Sequence, residues 1–323
     1  MSTLSRTARW TSGPSVVALG GGHGLAATLR ALRRITDSVT AVVGVSDDGG
    51  SSGRIRRELG LIPPGDLRMA LAALCGDDTW GRTWSRVLQH RFQGSGELAG
   101  HAVGNLLISA LWEETEDPVV GLDWVAALLE AQGRVLPVAC EPVDLIAEVR
   151  GLGGKDEVST LRGQVDIATT AGEVVSLKIE PHEPAPCQPV LEAIRDASMV
   201  VLGPGSWFTS VLPHLYVRPV HDALVATAAT RVLVVNVTPQ LGETTGFTPV
   251  MYVESLAHTF PEVRLDWVVV DPSSVHDQEQ LRATCAEIGA DLFVEEVRAV
   301  DGGEHKPVHD TLLLASVFQR LLA

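Results

Sequence analysis

The sequence predicts an α/β fold, a Rossmann-like doubly wound and mainly parallel sheet. Two observations carry this prediction. Continuous apolar runs such as SVVAL (15–19) and VTAVVGV (39–45) are typical of parallel strands covered on both faces. Stretches with helical periodicity separate these runs, and repeated strand–helix units with right-handed crossovers build such a sheet. We therefore expect one domain over 15–323, within a chain of 323 residues.

The first half of the chain alternates and then becomes helical. The first strand leads through glycines into a helix with Leu25, Leu29, Leu32 and Ile35 at helical spacing. After the second strand, residues of about 62–131 predict a helical segment. Its four helices are PPGDLRMALAALC, TWGRTWSRVLQHRF, GNLLISALWEE and LDWVAALLEA.

The second half starts with short, turn-punctuated apolar runs. RVLPVA, DLIAEVRG, QVDIATTAG and EVVSLKIEP predict a small, partly antiparallel β insertion at about 135–183. An edge extension of the main sheet explains these runs equally well. Strand–helix alternation then resumes with SMVVLGPG, RVLVVNV, LDWVVVD and DLFVEEV, and a last helix is predicted from about Asp310.

Composition excludes several classes of protein. The net charge of −15 gives the chain no global attraction for nucleic acid or a membrane surface, so bound phosphate must be held locally. Four scattered cysteines without a CxxC pair argue against a disulfide framework or a zinc cluster and favour a reducing cytoplasm. No stretch reaches the ~20 apolar residues of a membrane helix. Residues 1–14 lack a signal-peptide core and are expected to be a disordered terminus.

Four predicted strands end in loops of small or polar residues, where open α/β sheets bind ligands. The first loop, GGGHG, allows close backbone approach to a phosphate at a helix N-terminus. GHGLAA (22–27) also fits the GxGxxA form of a dinucleotide fingerprint, whereas a tight turn without a ligand is the alternative. The candidates here are Gly20, Gly21, Gly22, His23 and Gly24.

The second loop, GVSDDGGSSG, joins two carboxylates to small donors. Neighbouring strand residues point to opposite faces, so we expect only one of Asp47 and Asp48 to face a ligand squarely. That carboxylate could accept hydrogen bonds from sugar hydroxyls or hold Mg²⁺ against phosphates, whereas turn capping is the alternative. The accompanying donors would be Gly49, Gly50, Ser51, Ser52 and Arg54.

Later motifs add further candidates. In PPGDLR, helix capping and metal binding or catalysis explain the aspartate equally well, and the arginine is a candidate phosphate fork. GPGS opens a helix in a second phosphate-binding geometry that lacks the Walker A ending. From these loops, GHAVGN and the loop after RVLVVNV, we take Asp66, Arg68, His101, Asn105, Gly203, Pro204, Gly205, Ser206 and Asn236. Asp47, Asp48 and Asp66 are the candidate metal ligands; no catalytic residue is assigned.

Taken together, seven ordered motifs resemble those of the YvcK-type gluconeogenesis factors, within the superfamily of the 2-phospho-L-lactate transferase CofD. They are VVALGGGHGLAATLRAL, AVVGVSDDGGSSGRIR, PPGDLRMALAAL, GHAVGNLLISAL, VLGPGSWFTSVLPHL, VNVTPQLGETTGF and HDTLLLASV. The resemblance implies a CofD-like Rossmann-type domain that binds a nucleotide-linked ligand. It also implies binding of UDP-sugars such as UDP-N-acetylglucosamine and a role in cell shape and cell-wall synthesis during gluconeogenic growth.

Three departures from the family pattern affect the expected site. His23 stands where the family usually has Thr, Met69 stands where it has Asn, and TPQLGET replaces TQPGET. Each lost hydrogen bond is worth about 0.5–1.5 kcal/mol net, so ligand choice could differ from that of relatives.

Three functions are open to the sequence. The first is a cytoplasmic, non-catalytic UDP-sugar-binding regulator that acts through a cell-wall-related protein partner. The second is a CofD-like transferase that moves a phospho-acyl group from a nucleotide-diphosphate-activated donor with Mg²⁺. The third and weakest is an NAD(P)-binding dehydrogenase, supported by GHGLAA alone. No nucleic-acid partner or membrane insertion is expected, and a homo-oligomer stays open.

Overall fold

The structure, a computed structural model, describes residues 13–323. Its strands are β1 (Val16–Gly20), β2 (Val39–Val43), β3 (Arg134–Pro137), β4 (Asp144–Arg150), β5 (Val158–Arg162), β6 (Glu173–Glu180), β7 (Met199–Leu202), β8 (Thr230–Val234), β9 (Trp267–Val270), β10 (Asp291–Val294), β11 (Arg298–Asp301) and β12 (Glu304–His309). The predicted disorder of residues 1–14 falls, for residues 1–12, outside the described part of the chain.

The helices alternate with these strands. They are α1 (Gly22–Leu32), α2 (Gly50–Leu59), α3 (Gly65–Leu74), α4 (Thr79–Gln89), α5 (Val103–Thr115), α6 (Pro118–Leu129), α7 (Gln164–Ala168), α8 (Gln188–Arg195), α9 (Pro213–Tyr216), α10 (Arg218–Ala226), α11 (Pro249–Thr259), α12 (Gln278–Glu287) and α13 (Thr311–Leu321). A one-turn helix over Trp207–Val211 precedes α9. The predicted helical segment and the final helix are confirmed.

Seven parallel strands form the central sheet, in the order β10-β9-β8-β7-β1-β2-β3. All residues of β1 and β7 are buried, as continuous apolar strands covered on both faces require. The chain builds outward from β1 to β3 on one side and from β7 to β10 on the other. The switch point therefore lies between β1 and β7, and the predicted doubly wound α/β fold is confirmed.

The β insertion begins later than the sequence predicts. Arg134–Pro137 pairs in parallel with β2 and is an edge strand of the central sheet, which is the alternative that the apolar run left open. Only β4, β5 and β6 form the separate sheet, in the antiparallel order β5-β4-β6. The β prediction for QVDIATTAG is wrong, because QVDIA forms the helix α7 between β5 and β6. The continuous apolar run VLP suits a strand that is covered on both faces, and all three residues are buried. In β4, by contrast, burial alternates along the strand.

A two-stranded hairpin, β11–β12, was not predicted. Its turn contains Gly302 and Gly303, both at positive φ, and this DGG turn is a hairpin signal that the sequence does contain. In the part of the chain that the structure describes, no helix is long and apolar enough to cross a membrane.

Candidate ligand-binding cleft at the switch point

The loops that follow β1 and β7 touch each other through their backbones. A Cβ atom on Gly24 would lie 2.2 Å from the carbonyl oxygen of Pro204, so only glycine fits there. Thr28 Oγ1 also donates to the Gly203 carbonyl oxygen over 3.3 Å. Gly24 therefore serves the contact between two loops, in addition to any role toward a ligand.

Asn236 fixes the backbone of the GPGS loop. Its Oδ1 accepts from the Gly205 N–H over 2.9 Å, and its Nδ2 donates to the Gly205 carbonyl oxygen over 2.8 Å. Both ends of this amide are therefore engaged by the protein. Asn236 therefore positions the GPGS loop, and its predicted ligand contact stays a prediction.

Between these loops lies a cleft of about 250 Å³. Of the predicted residues, the structure brings Gly21, Gly22, His23, Gly24, Asp47, Asp66, Gly205 and Ser206 to its wall. The wall is completed by Gly44, Ser46, Gln164, Thr209, Ser210 and Gln240. The described wall residues thus contain two carboxylates and no lysine or arginine. A diphosphate bound here would need backbone N–H groups and a cation for its charge.

Asp66 is not the helix cap that its sequence position suggested. The N-cap of α3 is Pro64, two residues before Asp66, and Asp66 lies within the first turn. Its carboxylate sits against the glycine loop, because a Cβ on Gly21 would be 2.4 Å from Asp66 Oδ2. Burial, and then the charge of Asp47, raise the pKa of Asp66 to about 7. The cleft therefore holds two carboxylates whose negative charges repel each other.

Asp47 and Asp48 point in different directions, as the strand geometry predicted. Asp47 lines the cleft, and its Oδ1 accepts the Gly49 N–H over 3.0 Å. Asp48 instead accepts the N–H of Val165 over 3.1 Å, at the start of α7 in the insertion. Its side chain lies beside Gly163 and α7 instead of on the cleft wall, and its ligand role stays a prediction.

Behind the cleft, four predicted residues form a buried polar network. Ser51 Oγ lies 3.0 Å from His101 Nδ1 and accepts from Asn105 Nδ2 over 3.0 Å. Arg68 Nε donates to Asn105 Oδ1 over 2.8 Å. Burial and the charge of Arg54 lower the pKa of His101. This network ties α2, α3 and α5 together. It thereby positions α3, which carries Asp66, and α2, whose preceding loop carries Asp47.

Other predicted residues also lie off the cleft wall. Arg54 donates to the carbonyl oxygens of Glu97 and Ala99, over 3.3 and 2.8 Å, which explains why it brings no charge to the cleft. The complete set that the structure does not place on the wall is Gly20, Asp48, Gly49, Gly50, Ser51, Ser52, Arg54, Arg68, His101, Asn105, Gly203, Pro204 and Asn236.

Glu243 is a functional candidate that the sequence reasoning missed. It is buried, and its Oε1 accepts from Ser206 Oγ over 2.6 Å and from the Phe208 N–H over 3.3 Å. Burial raises the pKa of Glu243 to about 7, against the lowering effect of these hydrogen bonds. The available signal was its place in GETT (242–245), within the loop between β8 and α11, which we call the late loop. Glu243 holds the Ser206 hydroxyl at the cleft wall.

The insertion and the late loop supply the wall opposite the glycine loop. Gln164 starts α7, and Gln240 lies in the loop after β8. The two segments touch, because a Cβ on Gly242 would lie 2.2 Å from the Ala168 carbonyl oxygen. No local pattern marks Gln164, which reaches the cleft only through the tertiary fold.

The predicted site of three metal-binding carboxylates does not form. Within residues 13–323, no group of three or more His, Cys, Asp or Glu side chains is arranged to hold a metal ion. Asp48 is turned toward α7, which leaves Asp47 and Asp66. Two neighbouring carboxylates that repel each other suit a cation whose other ligands are phosphate oxygens and water.

Comparisons with known proteins agree with this fold. The family described as 2-phospho-L-lactate transferase CofD matches residues 16–301. A Mycobacterium tuberculosis protein that carries the gluconeogenesis factor name is 47% identical over 312 residues, which cover 95% of this chain and 90% of that relative. The Listeria monocytogenes gluconeogenesis factor is 33% identical, with 81% and 79% covered. A Bacillus halodurans crystal structure superimposes with a TM-score of 0.83 at 30% identity, covering 95% of this chain and 99% of that one.

Proposed function

The chain belongs to the gluconeogenesis factor family and carries a CofD-like domain, and from this premise we propose that it binds a UDP-sugar, such as UDP-N-acetylglucosamine, in the switch-point cleft. In this proposal it acts as a cytoplasmic regulator that couples nucleotide-sugar supply to cell shape and cell-wall synthesis through a protein partner. The observation that carries it is the composition of the cleft wall: a glycine loop, two carboxylates and several neutral hydrogen-bonding side chains.

Each part of a nucleotide sugar has a matching group. The first turn of α1 offers backbone N–H groups, since the first N–H groups of a helix have no partner within it. Gln164, Gln240 and Ser210 can donate to and accept from sugar or ribose hydroxyls. These neutral groups suit a polar, uncharged sugar better than a second anionic group.

Mg²⁺ fits the proposal because the wall repels a bare diphosphate. Asp47 and Asp66 would hold the ion, which would neutralise the diphosphate and the two carboxylates together. Burial first, and then the charge of Asp47, raise the pKa of Asp66 to about 7, and such an ion would relieve the repulsion between the two carboxylates. Ligand affinity is therefore expected to depend on Mg²⁺ and to fall as the pH drops below 7.

A CofD-like transferase is the second candidate, favoured by the family match over residues 16–301 and by the same pair of carboxylates. In that case the activated donor would carry a nucleoside diphosphate, and a second substrate would be required. Binding of GDP with Mg²⁺ in preference to UDP-sugars would support this candidate over the regulator.

The test is thermal unfolding of the pure protein with UDP-N-acetylglucosamine, UDP-glucose, GDP, NAD and NADP, each with and without Mg²⁺. A ligand at one hundred times its Kd stabilises the folded state by about 2.7 kcal/mol, which corresponds to several degrees. A shift with UDP-sugars that requires Mg²⁺ is the expected result. Isothermal titration then gives the Kd of the same pairs.

Two variants place the ligand in the cleft. Asp47→Asn should remove the shift, whereas Asp156→Asn, an exposed aspartate in the distant β4–β5 turn, should leave it unchanged. Shifts with NAD or NADP alone, or an unaltered UDP-sugar shift in Asp47→Asn, would contradict the proposal.

A further inference from the structure

Two cysteines that are far apart in the sequence meet at the base of the insertion. Cys140 and Cys187 lie in neighbouring segments joined by a backbone hydrogen bond from the Cys140 N–H to the Ala185 carbonyl oxygen, 3.1 Å long. Ala139 and Pro186 form an isolated antiparallel bridge beside them. Cys140 and Cys187 each directly follow a residue of this bridge, so their side chains project to the same face of it.

Their position in the fold is specific. Cys140 follows β3 and precedes the insertion, whereas Cys187 follows the insertion and directly precedes α8. The pair therefore joins the two segments through which the insertion connects to the central domain. The insertion carries α7, whose Gln164 lines the cleft.

The two thiols have different environments. Cys140 is exposed and Cys187 is buried. Hydrogen bonding from the Cys187 thiol lowers the pKa of Cys140, while the same contact and burial raise the pKa of Cys187. An accessible thiol with thiolate character beside a buried thiol is the arrangement found in pairs of attacking and resolving cysteines.

We propose that Cys140 and Cys187 are a reversible oxidation site, at which a peroxide converts the two thiols into a disulfide across the base of the insertion. The Cys140 thiolate attacks one peroxide oxygen, the O–O bond breaks, and a sulfenic acid and one water form after protonation. The Cys187 sulfur then attacks the sulfenic sulfur, the S–O bond breaks, and the second water leaves as the S–S bond forms. Two thiols lose two electrons in total, and one peroxide is reduced to two waters.

A disulfide here would constrain the insertion at its base, and neither of its cysteines lines the cleft. It would close the chain from 140 to 187 into a covalent loop that contains β4, β5, α7 and β6. Such a loop limits the unfolded and partly opened states of the segment. A thiol pair of this kind in a reducing compartment reports oxidation instead of serving as a permanent structural bond.

The test uses the full-length reduced protein and hydrogen peroxide near stoichiometric amounts. Of the four thiols in the chain, two should be lost. The intact mass should fall by about 2 Da, as disulfide formation requires. Non-reducing proteolysis should yield a linked pair of peptides that contain Cys140 and Cys187, and dithiothreitol should restore all four thiols.

Variants separate the two chemical steps. Cys187→Ser should stop at a sulfenic acid on Cys140 that dimedone traps, and Cys140→Ser should lose the peroxide reaction. Cys75→Ser, which changes a buried cysteine elsewhere, should still form the link. The proposal is overturned if wild-type protein keeps four thiols, if Cys140 oxidises without linking, or if mapping places a disulfide on Cys75 or Cys285.

Discussion

Replacing Asp66 by asparagine tests the electrostatics of the cleft directly, because the change removes one charge and keeps the shape of the side chain. The pKa of Asp66 is raised from 3.8 to about 7, first by burial and then by Asp47. For a carboxyl group whose pKa is raised on folding, the unfavourable contribution to the stability of the folded state is absent below the unfolded pKa. It grows as the pH rises and is complete above the folded pKa.

The size of the effect follows from the shift. One pKa unit corresponds to about 1.4 kcal/mol, so the three-unit shift sets an upper limit of about 4 kcal/mol. Asp66 is partly exposed, and solvent screening reduces this to about 1–2 kcal/mol. Asp66→Asn should therefore stabilise the ligand-free protein by about 1–2 kcal/mol at pH 8, and by less at pH 5, which lies below the raised pKa.

The assay is urea unfolding of the wild type and Asp66→Asn at pH 5 and pH 8, without ligand. Glu243, the buried carboxyl behind Ser206 whose pKa is also about 7, is present in both proteins, so the difference between them isolates Asp66. In the same preparations, Asp66→Asn should lose any Mg²⁺-dependent ligand binding. An advantage that does not grow between pH 5 and pH 8, or a loss of stability at pH 8, would refute the electrostatic reasoning.

Three further changes test the supports of the cleft. Asp48→Ala should lower the free energy of urea unfolding by about 1 kcal/mol, because the Val165 N–H loses its acceptor. In calorimetry it should weaken UDP-sugar binding less than Asp47→Ala does, and an equal loss of affinity would place Asp48 at the ligand. Gly24→Ala should destabilise by about 1–3 kcal/mol through overlap with the Pro204 carbonyl, and wild-type stability would show that the loops can separate. Asn236→Ala removes two hydrogen bonds and should cost about 1–3 kcal/mol together with affinity; unchanged urea unfolding would argue against the clamp.

The order of elements and the switch-point loops could be predicted because they depend on local patterns. The continuous apolar run of β1 and the glycines at the start of α1 are visible in the sequence itself. The N-cap of α3 lies two residues before its expected place, which puts Asp66 in the first turn of the helix and on the cleft wall. The ends of helices are the features that sequence patterns predict least accurately.

The roles that could not be predicted depend on partners distant in the chain. Asp48 meets Val165, 117 residues away, and Asn236 meets Gly205, 31 residues away. Each side chain has the residue type of a ligand contact, and only the tertiary fold decides that it binds the protein's own backbone. Cys140 and Cys187 escaped notice for the same reason, since no spacing rule links them.

The backbone contact between Gly24 and Pro204 has a kinetic consequence. It joins the glycine loop to the GPGS loop, while the contact between Gly242 and Ala168 joins the late loop to α7. The cleft is therefore bounded by two paired walls, and a ligand can widen it only by moving one pair against the other. A substitution that separates one pair, such as Gly242→Ala, would open a second way to widen the cleft and should raise the association and dissociation rates together, with a smaller effect on their ratio.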